Sequence, residues 1–139
     1  MLLFHQDKEI LSIERVTLRE SGMRYICDYE IVMKDGKAEI SEYGIRFENG
    51  EDRRILRRRT EVAESEALAL LNKCRLLSWN GFDGPHPHGV LDGIMFRLDA
   101  TVNGGKSVSA SGSQNFPRHY DILRNGFYEF LKDSPELPV

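Results

Sequence analysis

Residues 23–36 read MRYICDYEIVMKDG, the clearest strand-and-turn signal in the chain. Apolar and charged side chains alternate along it, and one face carries Met23, Tyr25, Cys27, Tyr29, Ile31 and Met33. Because successive side chains of a strand point to opposite faces, this two-residue period predicts a half-buried antiparallel strand. The Asp35-Gly36 pair that follows is a strong signal for a tight hairpin turn.

Further strands are predicted on both sides of this stretch. Residues 9–19 are rich in β-branched and apolar types, and Glu20-Ser21-Gly22 is a plausible turn after them. The next strand runs over about 37–47 and closes at Asn49-Gly50. Three strands joined by short turns form a meander. A fourth strand is predicted over 55–62.

The period then changes to that of a helix. Apolar residues at helical spacing predict an amphipathic helix over about 63–76, and a second one over 117–132. Strands are predicted between them at 94–102 and 106–111. The order β-β-β-β-α-β-β-α does not alternate, so it favours an α+β fold. We expect an antiparallel sheet of about six strands with the two helices packed on one face. Alternatively, the N-terminal meander forms its own layer or pairs with a second chain.

The whole-chain numbers are those of an ordinary globular protein. The 139 residues fit one domain, with 40% hydrophobic and 29% charged residues. The net charge of −3 argues against nucleic acid or an anionic membrane as a general partner. Cys27 and Cys74 are too few for a disulfide framework and are predicted to be free buried thiols. Pro135 and Pro138 end the last helix and make residues 133–139 candidates for disorder.

The first residues, MLLFHQDKEI, hold an apolar run too short for a signal peptide. No segment approaches the ~18 consecutive apolar residues that a membrane-spanning helix needs. We therefore expect a cytoplasmic protein with no membrane partner.

Residues 79–92, WNGFDGPHPHGVLD, have neither a strand period nor a helix period. They include the only tryptophan and two of the four histidines. A long irregular loop in a compact domain is more often functional than idle. This loop is therefore the first place to look for a site.

The histidines of this loop are candidate metal ligands. His86 and His88 are one residue apart, so an extended backbone would direct both to the same side. Asp83 and Asp92 flank them, and His119 could approach from the second helix. Two histidines and a carboxylate can hold zinc or non-haem iron. The spacing matches no recognised metal motif, however. We predict no metal or cofactor, and keep His86, His88 and Asp92 only as candidate ligands.

Trp79 has two interpretations. We favour packing of its ring over the end of the sheet, with its N–H on a backbone carbonyl, and the alternative is that the ring stacks on a ligand. Gly81 nearby would let the chain turn with positive φ.

An arginine run provides a second candidate site. Arg53, Arg54, Arg57, Arg58 and Arg59 fall within seven residues, and guanidinium groups suit phosphate or carboxylate ligands. On a regular strand Arg57 and Arg59 would share one face while Arg58 took the other. Nearby glutamates would neutralise the run, so we favour a solvated, internally paired strand and keep Arg57 and Arg59 as candidate binding residues. Alternating serines at 107, 109 and 111 are expected on the exposed face of an edge strand.

The second half of the chain resembles a family of small, uncharacterised bacterial proteins. The shared pattern is W-x-G-F, then D-G-x-x-F-x-L, then N-G-G, then S-G-S-x-x-F-P. The residues that carry it here are Trp79, Gly81, Phe82, Asp92, Gly93, Phe96, Leu98, Asn103, Gly104, Gly105, Ser111, Gly112, Ser113, Phe116 and Pro117. The resemblance covers about residues 68–131 and implies no chemistry, because no activity is assigned to that family.

Two functions follow from these observations. We favour a non-enzymatic binding or protein-interaction domain, because no catalytic motif is present. Its partner would be a second copy or another protein, bound through the 79–92 loop or through the sheet face that carries Tyr43, Ile45 and Phe47. The alternative is a small metal-dependent, hydrolase-like enzyme that uses His86, His88 and Asp92 as ligands or as a general base.

Overall fold

The structure is a computed structural model that describes residues 8–138. Its strands are β1 (Ile13–Gly22), β2 (Tyr25–Lys34), β3 (Lys37–Glu48), β4 (Glu51–Ala63), β5 (Asp83–Gly84), β6 (Met95–Val102) and β7 (Lys106–Ser113). The helices are α1 (Glu64–Lys73) and α2 (Tyr120–Leu131), and a short 3-10 helix covers Leu76–Trp79. The α+β class is confirmed.

All seven strands form one sheet in the order β4-β3-β2-β1-β6-β7-β5. Only the two-residue β5 is parallel to its neighbour, β7. Leu18 of β1 pairs with Tyr29 on one side and with Leu98 on the other. The N-terminal meander and the C-terminal half therefore share one sheet, joined by β1 and β6.

The apolar side chains of one sheet face pack against both helices. The predicted apolar face of β2 is confirmed, because Cys27, Tyr29 and Ile31 are buried there. Tyr29 stacks on Phe127 of α2, with ring centroids 5.0 Å apart. Neither α1 nor α2 packs on the opposite sheet face, which is called the open face.

The boundaries of several elements differ from those predicted. The segment Glu20-Ser21-Gly22 is not a turn, because β1 continues to Gly22 and the turn is formed by residues 23–24. The fourth strand starts at Glu51 rather than Ile55. Helix α2 starts at Tyr120, and residues 117–119 precede it. The loop that was predicted to be irregular contains both the end of the 3-10 helix and β5.

Other parts of the chain approach closely at two glycines, Gly112 and Gly126. A Cβ on Gly112 would lie 2.1 Å from the backbone oxygen of Asn115 and 2.8 Å from Cε1 of Phe96. A Cβ on Gly126 would lie 2.3 Å from Cδ1 of Leu70, so α1 and α2 approach closely at this glycine. At Gly112 the obstacle includes backbone, so this position needs a residue without a side chain, whereas at Gly126 the Leu70 side chain would have to move.

Candidate functional site

His86 anchors the loop before β6 to the end of β7. Its Nδ1 lies 2.8 Å from the hydroxyl of Ser113 and its Nε2 lies 2.5 Å from the carbonyl oxygen of Val90. Because a carbonyl only accepts, Nε2 is the donor, and in the neutral ring the Ser113 hydroxyl donates to Nδ1. Both ring nitrogens are therefore engaged in holding the loop.

The other candidates of the loop do not gather around His86. His88 and Asp92 are exposed, and Asp83 lies in β5 opposite Ser111. His119 precedes α2 with a left-handed backbone, φ 68°. Within the described range 8–138, no three His, Cys, Asp or Glu side chains are grouped so that they could hold a metal ion.

Trp79 lies inside the core, where only 1% of it is exposed. Its indole N–H donates to the carbonyl of Arg118 at 3.0 Å, and its ring stacks on Tyr120 with centroids 5.9 Å apart. This is the packing arrangement that the sequence predicted. Gly81 has φ 85°, as expected for a turn, and its N–H donates to the carbonyl of Ser109.

Arg57 and Arg59 lie on opposite faces of the sheet, so the prediction that they share one face is wrong. The pairing of β3 with β4 shifts between Glu42 and Tyr43, and this irregularity breaks the alternation of β4. Arg57 contacts Glu136 at 3.0 Å and Glu42 at 4.0 Å. Arg59 contacts the hydroxyls of Ser41 and Tyr43 and the carboxylate of Glu39.

The open face is a layer of ion pairs over β1 to β4. Arg19 holds Asp28 through two hydrogen bonds of 2.6 and 2.9 Å, which raise the pKa of its guanidinium. Arg54 lies 3.2 Å from Asp28 and 3.4 Å from Glu30, with its guanidinium 3.9 Å above the ring of Tyr43. These arginines cover the carboxylates, so Asp28 and Glu30 are buried although their face carries no helix.

Carboxylates on both faces of the sheet occupy most of the arginine run, which was considered for anion binding. Of the five arginines in the run, four have carboxylate partners: Arg53, Arg54, Arg57 and Arg59. The arrangement is the internally paired one that the sequence analysis favoured.

Ser109 and Ser111 of β7 border a shallow depression of about 180 Å³ on the open face. The Ser109 hydroxyl donates to Asp99 at 3.2 Å, and Arg97 donates to the other oxygen of that carboxylate at 2.9 Å. Each oxygen of the Asp99 carboxylate therefore accepts one hydrogen bond. The depression offers hydroxyl, guanidinium and carboxylate groups for polar contacts.

A buried polar cluster on the helix side joins α2 to the sheet. Glu20 accepts a very short hydrogen bond from the Tyr120 hydroxyl and a second one, 2.8 Å long, from Nε of Arg124. Burial, together with the hydrogen bond to Glu20, raises the pKa of Tyr120. The guanidinium of Arg124 lies 4.8 Å above the ring of Tyr29. Sequence reasoning missed this cluster because Glu20 was placed in a turn.

Cys27 and Cys74 are free and buried. Burial raises the pKa of Cys27 to about 11 and that of Cys74 to about 12. Because the thiolate is the reactive form, neither thiol is prepared for nucleophilic chemistry near neutral pH.

One end of the sheet collects exposed apolar side chains. Of the ten large hydrophobic residues that are exposed within residues 8–138, seven lie where β1 meets β2, β3 meets β4, and the loop enters β6. These seven, called the apolar end, are Met23, Tyr25, Ile26, Phe47, Val90, Leu91 and Met95. Single exposed apolar residues are normal, whereas a contiguous group marks an interaction surface.

Strand register shows how the apolar end is assembled. Ser21 of β1 pairs with Ile26 on one side and with Met95 on the other, so these two apolar residues share the open face. Tyr43 pairs with Asp28, and Phe47 follows Tyr43 at an even spacing on the same face. The ion-pair layer thus gives way to apolar side chains towards this end. Leu91 in the adjoining loop is 96% exposed.

No protein-family model, curated protein or solved structure matches this chain. No helix within residues 8–138 has the length and apolar character needed to cross a bilayer.

Proposed function

We propose that this protein is a non-enzymatic protein-interaction domain that binds its partner through the apolar end. The grouping of seven exposed apolar side chains at one end of the sheet carries the proposal. Leu91 and Phe47, with 96% and 72% of their surface exposed, would gain most from contact with a partner.

The hydrogen bonds of Glu20 and His86 favour binding over catalysis. Glu20 is buried with both carboxylate oxygens in hydrogen bonds, and the one lone pair of the neutral His86 ring accepts from Ser113. A general base needs a free lone pair directed towards a substrate. For this reason we do not propose the metal-dependent hydrolase.

We also propose a cytoplasmic location. The two buried thiols carry no disulfide, which is the usual state of cysteines under reducing conditions. The net charge of −3 supports a protein partner rather than nucleic acid.

Site-specific photocrosslinking in living cells tests the proposed function. The photoreactive residue p-benzoylphenylalanine would replace Phe47 in one variant and Leu11 in another. Leu11 is the matched control, because it is also 72% exposed but lies outside the apolar end. We expect covalent protein adducts from position 47 and none from position 11. Equal yields at both positions, or no adduct at position 47, would overturn the proposed function.

A further inference from the structure

We infer that the partner of the apolar end is a second copy of this chain, bound through the same surface as a symmetric pair. This inference rests on the proposed function and adds the identity of the partner. In a symmetric dimer each contact occurs twice, so one self-complementary patch serves both subunits.

The size of the apolar end fits such a pair. The seven side chains are between 36% and 96% exposed. Tyr25 points to the helix side of the sheet, opposite to Ile26, so six of the seven can face one partner. Taking roughly 200 Å² for each fully exposed large side chain, these six present on the order of 700 Å². A standard stable interface buries about 800 Å² on each partner.

The charges around the apolar end are balanced. Six charged residues that are not buried border its members: Arg24, Arg46, Arg97, Glu48 and Asp92 lie within two positions of them in the sequence, and Asp52 pairs with Phe47 across the β3–β4 hairpin. Three arginines and three carboxylates give no net charge. A second copy therefore meets no repulsive rim, and its positive groups can face negative ones. An anionic membrane surface would instead require a net basic rim.

The edge of the sheet is a poorer site for self-association. The exposed edge strand β4 carries the arginine run, and charged side chains on an edge oppose strand pairing. In addition, the N–H of Leu137 donates to the carbonyl of Arg57 at 2.8 Å, and Glu136 contacts the Arg57 guanidinium. The segment after α2 thus occupies part of this edge. Compared with the β4 edge, the apolar end is the more accessible surface for a second copy.

Sedimentation equilibrium of the full chain tests the inference. The comparison uses the unchanged protein, the variants Phe47→Glu and Leu91→Glu, and the control Leu11→Glu. We expect a reversible dimer for the unchanged protein and for the control. For Phe47→Glu we expect the dissociation constant to rise by at least about 30-fold, the usual effect of removing an interface hot spot. Circular dichroism checks that every variant stays folded.

The outcomes separate this inference from the proposed function. A monomer at every concentration, or a Phe47→Glu variant that dimerises as tightly as the unchanged protein, overturns the second copy as partner. If photocrosslinking at position 47 then still gives adducts with a different protein, the proposed function stands without the inference. Co-flotation of the monomer with vesicles of phosphatidylglycerol and phosphatidylcholine, lost in Phe47→Glu but not in Leu11→Glu, overturns both.

Discussion

The hydroxyl of Tyr120 offers the sharpest test of how α2 is held on the sheet. Tyr120→Phe removes one hydrogen bond to Glu20 and leaves a buried carboxylate oxygen without its donor. A hydrogen bond to a charged group contributes about 1.5–3 kcal/mol. Arg124 still holds the other oxygen at 2.8 Å, so we expect a loss of about 2 kcal/mol in the free energy of unfolding.

The aromatic contacts of this side chain should survive the substitution. The ring of Tyr120 packs against Phe116 and Phe96 at centroid distances of 4.7 and 4.9 Å, and phenylalanine keeps that shape. The measured loss therefore reports the hydroxyl and not the packing. Tyr128→Phe is the matched control, because Tyr128 lies on the same helix but is 57% exposed.

Urea unfolding followed by tryptophan fluorescence measures this effect. Trp79 is the only tryptophan and stacks on Tyr120, so its emission follows the loss of this part of the core. At a slope of about 2 kcal/mol per molar urea, the unfolding midpoint of Tyr120→Phe should fall by about 1 M. The control should stay within about 0.5 kcal/mol of the unchanged protein. Equal midpoints for the two variants would refute the role assigned to the Glu20 cluster.

Three further results are expected. Gly112→Ala should lower the free energy of unfolding by at least about 2 kcal/mol in thermal or urea unfolding, because the new Cβ would overlap a backbone oxygen. Gly36→Ala, which has open space but a positive φ, should lower it by about 1 kcal/mol. A smaller loss at Gly112 than at Gly36 would contradict the close approach. The free energy of unfolding should fall as pH rises from about 9 to 11, by up to about 1.4 kcal/mol per pH unit for each thiol. Stability falls in this direction because the folded-state pKa values, about 11 for Cys27 and about 12 for Cys74, lie above that of an unfolded thiol. The stability that each buried thiol contributes is complete below the unfolded pKa and is lost as the pH rises through the folded pKa. Alkaline urea titrations measure it, and Cys74→Ala should flatten the slope; a stability independent of pH in this range speaks against burial of the thiols. Finally, His86→Ala should speed hydrogen exchange in residues 85–94. The free energy of global unfolding should change by less than about 1 kcal/mol, because both lost hydrogen bonds are exposed. Unchanged exchange in these residues would mean that His86 does not anchor the loop.

The sequence predicts the parts of the fold whose causes are local. The alternation in β2 separates buried Cys27, Tyr29 and Ile31 from the polar face, and period two is a direct consequence of strand geometry. The Asp35-Gly36 turn is likewise a local preference, and both residues take positive φ. The strand β5 had no such signal, because it consists of two residues whose backbone pairs with β7.

The environments of individual polar side chains depend on distant parts of the chain. Asp28 lies on the polar face of β2, yet it is buried because Arg19 and Arg54, from two other strands, cover it. The irregular pairing between β3 and β4 reverses the face of Arg57, and no residue type marks it in advance. Glu20 becomes a buried acceptor only because residues a hundred positions later fold onto it.

The apolar end was only partly visible in the sequence. Phe47 was recognised as a member of an apolar strand face, and Leu91 lay in the loop chosen for its irregularity. Their location at the same end of the sheet depends on the pairing of β1 with β2 and β6. The sequence alone does not show that these residues lie at one end of the sheet.

Hydrogen exchange over a dilution series tests the central claim most directly, because it locates any self-contact on the chain. With rising protein concentration, we predict slower exchange in residues 21–27, 44–49 and 88–96, which contain the apolar end, and no change in 120–131 of α2. Slowing that appears along β4 or on the helices instead, or exchange that is independent of concentration throughout, would contradict the account.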